Sequence, residues 1–420
     1  MTMKNILNMT SRAACLTGIM FFSIQFAAPL QATDWPQFRG PGGLGVSADK
    51  GVPMTWGPTE NIVWKVALPG KGTSSPIVVG PRVIVTCYSG TLDQVSRQVL
   101  CFNRADGKLL WSTEAPSKLP EGRISRGDHG YASSTPAADG ERIYAFFGKS
   151  GVFAFDFNGR QLWRADVGEQ LHEWGSAASP VLFRDLVIIN ASTESGSLVA
   201  LDRRTGREVW RAGGISEAWN TPLLVPVNGG TELIVSIPQQ ILAFDPATGR
   251  QLWSCATGIR WYMVPSAVAH DGVVYCTGGR SGDVLAVRAG GRGDVTATHM
   301  LWAGKRGSNV SSPIYHAGHL YWMNDSTGVA HCVNARTGEL VYSERIPRAD
   351  EIYSAAVLAE GRLYYLGRSG CTFVLAAKPV FELLATNDLE TRGLFNSSPA
   401  VAGSRFYLRS DQFFYCIGAP

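Results

Sequence analysis

Gly196-Ser-Leu-Val-Ala-Leu-Asp-Arg-Arg-Thr-Gly-Arg-Glu-Val-Trp210 reads as a strand, a tight Asp-x-x-Thr-Gly turn and a second strand that ends in Trp. Asp suits the turn because its carboxylate bonds its own backbone, and Gly because it accepts positive φ. Close copies stand at Ile241-Leu-Ala-Phe-Asp-Pro-Ala-Thr-Gly-Arg-Gln-Leu-Trp253 and Val152-Phe-Ala-Phe-Asp-Phe-Asn-Gly-Arg-Gln-Leu-Trp163. Weaker ones stand at Leu100–Trp111 and Ala330–Tyr342. A unit that recurs along the whole chain means a repeat architecture and outranks any single motif.

Each unit opens on a small polar turn followed by Pro or Ala, then runs through short apolar strands such as Arg82-Val-Ile-Val-Thr86. The openings are Pro76, Pro136, Pro180, Pro222, Ala267, Pro313, Ala356 and Pro399, spaced by 60, 44, 42, 45, 46, 43 and 43 residues. Period-2 patterning recurs in Arg142-Ile-Tyr-Ala-Phe-Phe147 and Gly361-Arg-Leu-Tyr-Tyr-Leu366. Eight units of four short strands predict an all-β fold, an eight-bladed β-propeller. The last unit stops at Tyr415-Cys-Ile417 with three strands, and Asn61-Ile-Val-Trp-Lys-Val-Ala67 is a Trp strand with no unit of its own. The N-terminal strand therefore completes the eighth blade and closes the ring, which leaves no open sheet edge. Unit five replaces its turn with Arg288–Asp294, and unit seven lacks the Asp, Gly and Trp over Val374–Phe381. The expected organisation is a signal peptide over 1–32, an extended segment over 33–60 and the propeller over 61–420. The repeat tryptophans are expected to bury their faces between adjacent blades.

The N-terminus carries Lys4 and Arg12, then an apolar run from Ala13 to Leu30 and a small-residue end at Ala32, the pattern of a secretory signal peptide. Gln25 and Pro29 interrupt the run, and Cys15 precedes rather than follows it, so neither a spanning helix nor a lipid anchor is expected. The reading is a periplasmic or extracellular protein, with an uncleaved N-terminal anchor as the alternative. The net charge of +4 falls to +2 without the first 32 residues, no electrostatic footprint for nucleic acid. Seven cysteines follow Cys15. Cys101, Cys332 and Cys416 fall where other copies have Ala154, Ala200 and Ala243, and Cys276 where another has Ala145, so they are read as inert core thiols.

Several motifs dissolve on inspection. Gly40-Pro-Gly-Gly-Leu-Gly45 matches G-x-G-x-x-G but has no strand before it and no helix after it. Arg126-Gly-Asp128 is uninformative as a tripeptide. His172-Glu173 lacks the second His of a zincin, and no G-x-S-x-G occurs. The repeated Asp-Gly turns lack the alternating carboxylates of a calcium loop.

The repeat resembles the PQQ-like β-propeller repeat family, whose unit carries A-x-D-x-x-T-G-x-x-x-W, over roughly Asn61 to the C-terminus. Asp34-Trp-Pro-Gln-Phe-Arg-Gly-Pro41, Gly290–His299 and Leu384–Leu389 look like a secreted subgroup abundant in planctomycete-type bacteria. The resemblance implies a fold and an address more than a reaction. Among its relatives, quinoprotein dehydrogenases hold PQQ and calcium in the channel, and outer-membrane assembly factor B lipoproteins bind a partner protein. Glu173, Asn220, Asn309 and Asp325 are oxygen donors for such a calcium, but they are scattered over four blades, and the adjacent cysteine pair of many such dehydrogenases is missing.

In such a ring the loops after each Trp strand and the loops between second and third strands share one face, and the Asp-x-x-Thr-Gly turns take the other. Binding residues concentrate on loops carried by rigid scaffolds. The post-Trp loops offer Arg123, Arg126 and His129; His172, Glu173 and Trp174; Trp219 and Asn220; Arg260, Trp261 and Tyr262; Arg306 and Asn309; and Arg392 and Asn396. The mixture of aromatic side chains and arginine is what interface hot spots favour. The expected function is a non-catalytic, monomeric binding scaffold for a protein, peptide or glycan, without a cofactor. A PQQ- and calcium-dependent dehydrogenase and an envelope assembly factor are the alternatives.

Overall fold

The computed structural model describes residues 34–124, 129–391 and 393–419. The expected signal peptide, Cys15, Arg126, Asp128 and Arg392 lie outside them. The described residues form eight sheets, each built on four antiparallel strands that follow chain order in the first seven. Blade one is Ile77–Val79, Arg82–Ser89, Ser96–Asn103 and Leu109–Ala115. Blade three is Val181–Phe183, Leu186–Ala191, Ser197–Asp202 and Glu208–Gly213. Blade eight takes Ala400–Ala402, Arg405–Arg409 and Phe413–Ile417 from the C-terminus and Ile62–Ala67 from the N-terminus. Trp64 pairs with Cys416, as the Trp strand of a complete blade must.

The repeat motif turns out to be a joint between blades. Asp202 Oδ1 accepts the backbone N–H groups of Arg204 and Thr205 and the Thr205 hydroxyl, at 3.0, 2.8 and 2.8 Å. The turn so formed presents the Arg203 carbonyl to the indole N–H of Trp163 in the preceding blade, at 3.0 Å. Gly206 then lies against the Trp163 ring: a Cβ there would come within 2.6 Å of it, and its φ is +73°. The same pairing joins Trp64 to Arg104 and Gly107, Trp111 to Phe157 and Gly159, Trp210 to Pro246 and Gly249, and Trp302 to Ala335 and Gly338. The glycine is therefore needed twice, for its backbone angle and for the room it leaves.

A second joint runs around the inner rim and explains the small polar residue before each blade. The hydroxyl there accepts the backbone N–H of its equivalent in the preceding blade. Ser75 donates to Thr135, Thr135 to Ser179, Ser179 to Thr221, Thr221 to Ser266 and Ser266 to Ser312, all at 2.9–3.0 Å. Ala355 donates to Ser398 at 2.8 Å and Ser398 back to Ser75 at 3.0 Å. Ala355 has no hydroxyl to offer Ser312, so the chain of bonds breaks only between blades six and seven.

The segment before blade eight crosses the ring on the face of the Asp-x-x-Thr-Gly turns. Trp35 exchanges backbone bonds with Val78 of blade one, and the Pro36 carbonyl takes the N–H of Ala138 in blade two. Arg39 reaches the Pro313 carbonyl at the start of blade six, and Val46–Ser47 pairs in parallel with Leu358–Ala359 of blade seven. Burial pushes the Arg39 guanidinium down to about 9. Farther along, the Asn387 side chain holds the Trp56 N–H and the Met54 carbonyl, at 3.1 and 3.0 Å. Gly293–Asp294 covers the outer edge of blade four beside Trp253, whose indole donates to buried Glu232 at 2.7 Å because blade five has no repeat turn to receive it. The three stretches that set this chain apart from a bare repeat thus seal the ring.

All seven described cysteines are free and six are buried. Burial pushes the thiols of Cys101, Cys276 and Cys332 up to about 12 and that of Cys416 up to about 11. No helix of the described residues is long and apolar enough to cross a membrane.

Candidate functional site: a funnel between aromatic and polar walls

The face opposite the repeat turns opens into a cavity of about 500 Å³. One wall is aromatic and comes from the loops that follow the Trp strands of blades two, three and four, which supply Trp174, Trp219 and Tyr262. Trp174 meets Tyr262 edge-on with centroids 4.4 Å apart, and Trp219 lies 5.5 Å from Trp174 and 6.1 Å from Tyr262. Such geometries add to area burial because ring edges and faces carry opposite partial charge. The loops are also tied through their backbones. The Trp219 indole donates to the Gly175 carbonyl at 2.7 Å, and Trp219 and Met263 bond Met263 and Glu217 in turn at 2.7 and 2.8 Å. The wall is a preassembled surface.

The other wall is polar. Asn309 follows the Trp strand of blade five; Asn324, Asp325 and Ser326 join the second and third strands of blade six; Glu351 and Tyr353 follow the outer strand of blade six. Asp325 Oδ1 accepts the Asn309 backbone N–H at 3.0 Å and the Ser308 hydroxyl at 3.3 Å. The Asn309 amide nitrogen reaches the Tyr262 hydroxyl at 3.3 Å and so links the walls. Its buried side-chain oxygen has no partner among the described residues. Arg280 donates to the same hydroxyl at 3.3 Å and stacks over Trp261 and Tyr262. Tyr353 lies between His129, whose ring is 6.1 Å away and near parallel, and the Arg368 guanidinium, 4.4 Å from its centroid. Arg368 pairs with Glu351 and donates to Asn396 at 2.9 Å.

Of the residues singled out in the sequence, His129, Trp174, Trp219, Tyr262 and Asn309 line the cavity. His172 supports it from behind, with centroids 5.6 Å from Trp174 and 4.8 Å from Trp219. Arg123, Glu173, Arg260, Trp261 and Arg306 are exposed residues of the loops around it. Asn220 is different: it is buried, donating to the Ser236 carbonyl at 2.7 Å and accepting its N–H at 3.3 Å, and so holds strand Gly230–Ile237. Arg280, Asn324, Ser326, Glu351 and Tyr353 were not among the expected residues. One signal was present: Asn324-Asp-Ser-Thr-Gly328 copies the repeat turn between second and third strands, where the repeat never puts it.

Beneath His172 lies a small polar enclosure lined by Arg97, Glu121, Lys149, His172 and Ser176. Arg97 pairs with Glu121 at 2.6 Å. The Ser176 hydroxyl donates to the buried Glu194. Burial, with Glu121 as a lesser cause, pushes the Glu194 carboxyl up to about 7.

The model of the family described as outer membrane protein assembly factor BamB matches residues 49–217 and 155–380. The chain belongs to that PQQ-like β-propeller family. An outer membrane protein assembly factor BamB of Burkholderia pseudomallei is 25% identical over 364 residues, which cover 73% of this chain and 86% of that protein. Among solved structures, BamB of Moraxella catarrhalis superposes with a TM-score of 0.61 at 16% identity, over 85% of this chain and 97% of its own. A quinohemoprotein alcohol dehydrogenase of Comamonas testosteroni gives 0.66 at 13% identity, over 93% of this chain and 81% of its own. At those identities the structural likenesses speak for the fold alone.

The dehydrogenase likeness raises a bound quinone with a cation, and the donors in this funnel do not fit one. Calcium takes roughly six to eight oxygens. Asp325 and Glu351 are the only carboxylates among the lining residues, Glu351 is engaged by Arg368, and among the described residues no three His, Cys, Asp or Glu side chains are grouped to hold a metal.

Proposed function

We propose that the protein is an exported, non-catalytic propeller scaffold that binds a ligand in the funnel between the aromatic and polar walls. The observation that carries this reading is the preassembly of Trp174, Trp219 and Tyr262 from three successive blades around an open cavity. Cavities of about 300–1,000 Å³ with a few convergent polar groups are the usual form of ligand sites. Residues 34–47 cross the opposite end of the ring, which leaves the funnel as the working face. Export is supported by the charged, then apolar, then small-residue pattern of residues 1–32. The test is capture of components from an envelope extract by the immobilised protein, side by side with Trp174→Ala, and a titration with PQQ and calcium. Capture lost in the variant, with no quinone spectral change and no dye reduction, supports the scaffold. Dye reduction overturns it.

A second reading is an envelope assembly factor with a protein partner. It is favoured by the family's description and by Trp261, 47% exposed beside the funnel. Co-fractionation with outer-membrane proteins, lost in Trp261→Ala, is the outcome that selects it.

A further inference from the structure

We infer that the ligand is the end of a neutral saccharide chain, held with its C–H face on the aromatic wall and its hydroxyls on the polar wall; this rests on the funnel being the binding site. The two walls differ in the way a sugar ring's faces and edges differ. Aromatic rings give a flat apolar surface, and the opposite wall offers acceptors to groups that carry donors. The Asn309 side-chain oxygen is buried and without a partner among the described residues. An unpaired buried acceptor is destabilising, and a ligand hydroxyl answers it. Asp325 has two of its acceptor positions taken, and a carboxylate has about four.

Charge argues the same way. Among the lining residues Asp325 and Glu351 are negative and Arg280 is positive, and Glu351 is paired with Arg368, which lies outside the lining. Within the lining no large surplus of either sign remains to hold a polyanion or a lysine-rich peptide, and the exposed Arg260 and Arg306 on the surrounding loops are the reason anionic sugars belong in the test. A hydroxyl-rich neutral ligand needs none.

Shape sets the mode of binding. The cavity of about 500 Å³ has room for one or two sugar rings. The segment that bonds blades one, two, six and seven crosses the far end of the ring, so a chain enters by its terminus and does not thread through.

The test is an array of neutral and anionic oligosaccharides with a lysine-rich and a glutamate-rich peptide alongside, followed by isothermal titration of the best binders. The expected result is retention of neutral oligosaccharides recognised at a chain end, weakened about tenfold in Trp174→Ala, which corresponds to the loss of one aromatic contact. Asn309→Ala weakens the same sugars, and Trp174→Phe retains part of the affinity if Trp174→Ala does not fold. Binding of peptides or anionic sugars in place of neutral ones overturns the saccharide assignment while the funnel remains a binding site. If nothing on the array binds, and envelope capture is unaffected by Trp174→Ala, both readings fall.

Discussion

The backbone N–H of Ser398 donates to the Ser75 hydroxyl at 3.0 Å, bonding the last blade to the first at the inner rim of the ring. The outer side of the same closure is Ile62–Ala67 on Phe413–Ile417. Blade eight is therefore joined to the early part of the chain by a hydroxyl and by a strand, and also by Arg409, which donates to the Thr86 carbonyl at 2.6 Å.

The hydroxyl relay predicts its own repair. Ala355 is the position that lacks a hydroxyl, facing the N–H of Ser312 across the junction of blades six and seven. Ala355→Ser is expected to raise stability by about 1 kcal/mol, the usual net worth of one hydrogen bond. Ser398→Ala removes an acceptor from buried Ala355 and is expected to cost about 1–3 kcal/mol. Chemical denaturation of the two variants checks both signs.

The repeat glycine is predicted to be intolerant where a tryptophan covers it. Gly206→Ala meets Trp163 at 2.6 Å and is held at a φ of +73°. Strain and overpacking together are expected to cost about 2–4 kcal/mol. Gly229→Ala, at a φ of +91° with no atom within 4 Å of the added Cβ, isolates the backbone contribution and is expected to cost about 1 kcal/mol. Thermal unfolding of the pair measures the difference.

Glu194 predicts a pH dependence of known sign. Its folded value of about 7 lies above the ordinary 4.5, so the folded state keeps this proton longer than the unfolded chain. Its contribution to stability is full below about 4.5 and is lost as pH rises through about 7, with a slope of about 1 kcal/mol per pH unit between them. Glu194→Gln keeps a neutral side chain beside Ser176 and removes that slope. The melting temperature of the wild type is expected to fall, relative to the variant, between pH 5 and pH 8. Parallel profiles contradict the assignment.

Much of this ring was legible because it repeats. Asp202, Gly206 and Trp210 have equivalents in other blades, and the phase of the repeat assigns Trp64 to the unfinished last unit. What the repeat motif does across the joint was less legible, since Gly206 and Trp163 are 43 residues apart and meet only when blades pack. Residues 34–47 have no second copy to set their register, so the burial of Trp35 and Arg39 could not be read from the sequence around them. In the site, the choice of face followed from strand connectivity, but depth did not. Trp219 and Asn220 are neighbours, and one lines the funnel while the other holds a strand. Arg280, Glu351 and Tyr353 come from loops with no motif, and only the packing of blades five to seven brings them to one wall.

The central claim is that the work of this protein is done in the funnel and that the repeat turns are scaffold. The measurement that tests it most directly is ligand capture by two double variants confirmed to fold, Trp174→Ala with Arg280→Ala on the funnel, and Arg204→Ala with Arg336→Ala on the exposed turns of the opposite face. The account predicts that the first pair loses the ligand and the second retains it at the affinity of the wild type. Capture that survives the funnel variant and is lost with the turn variant contradicts it.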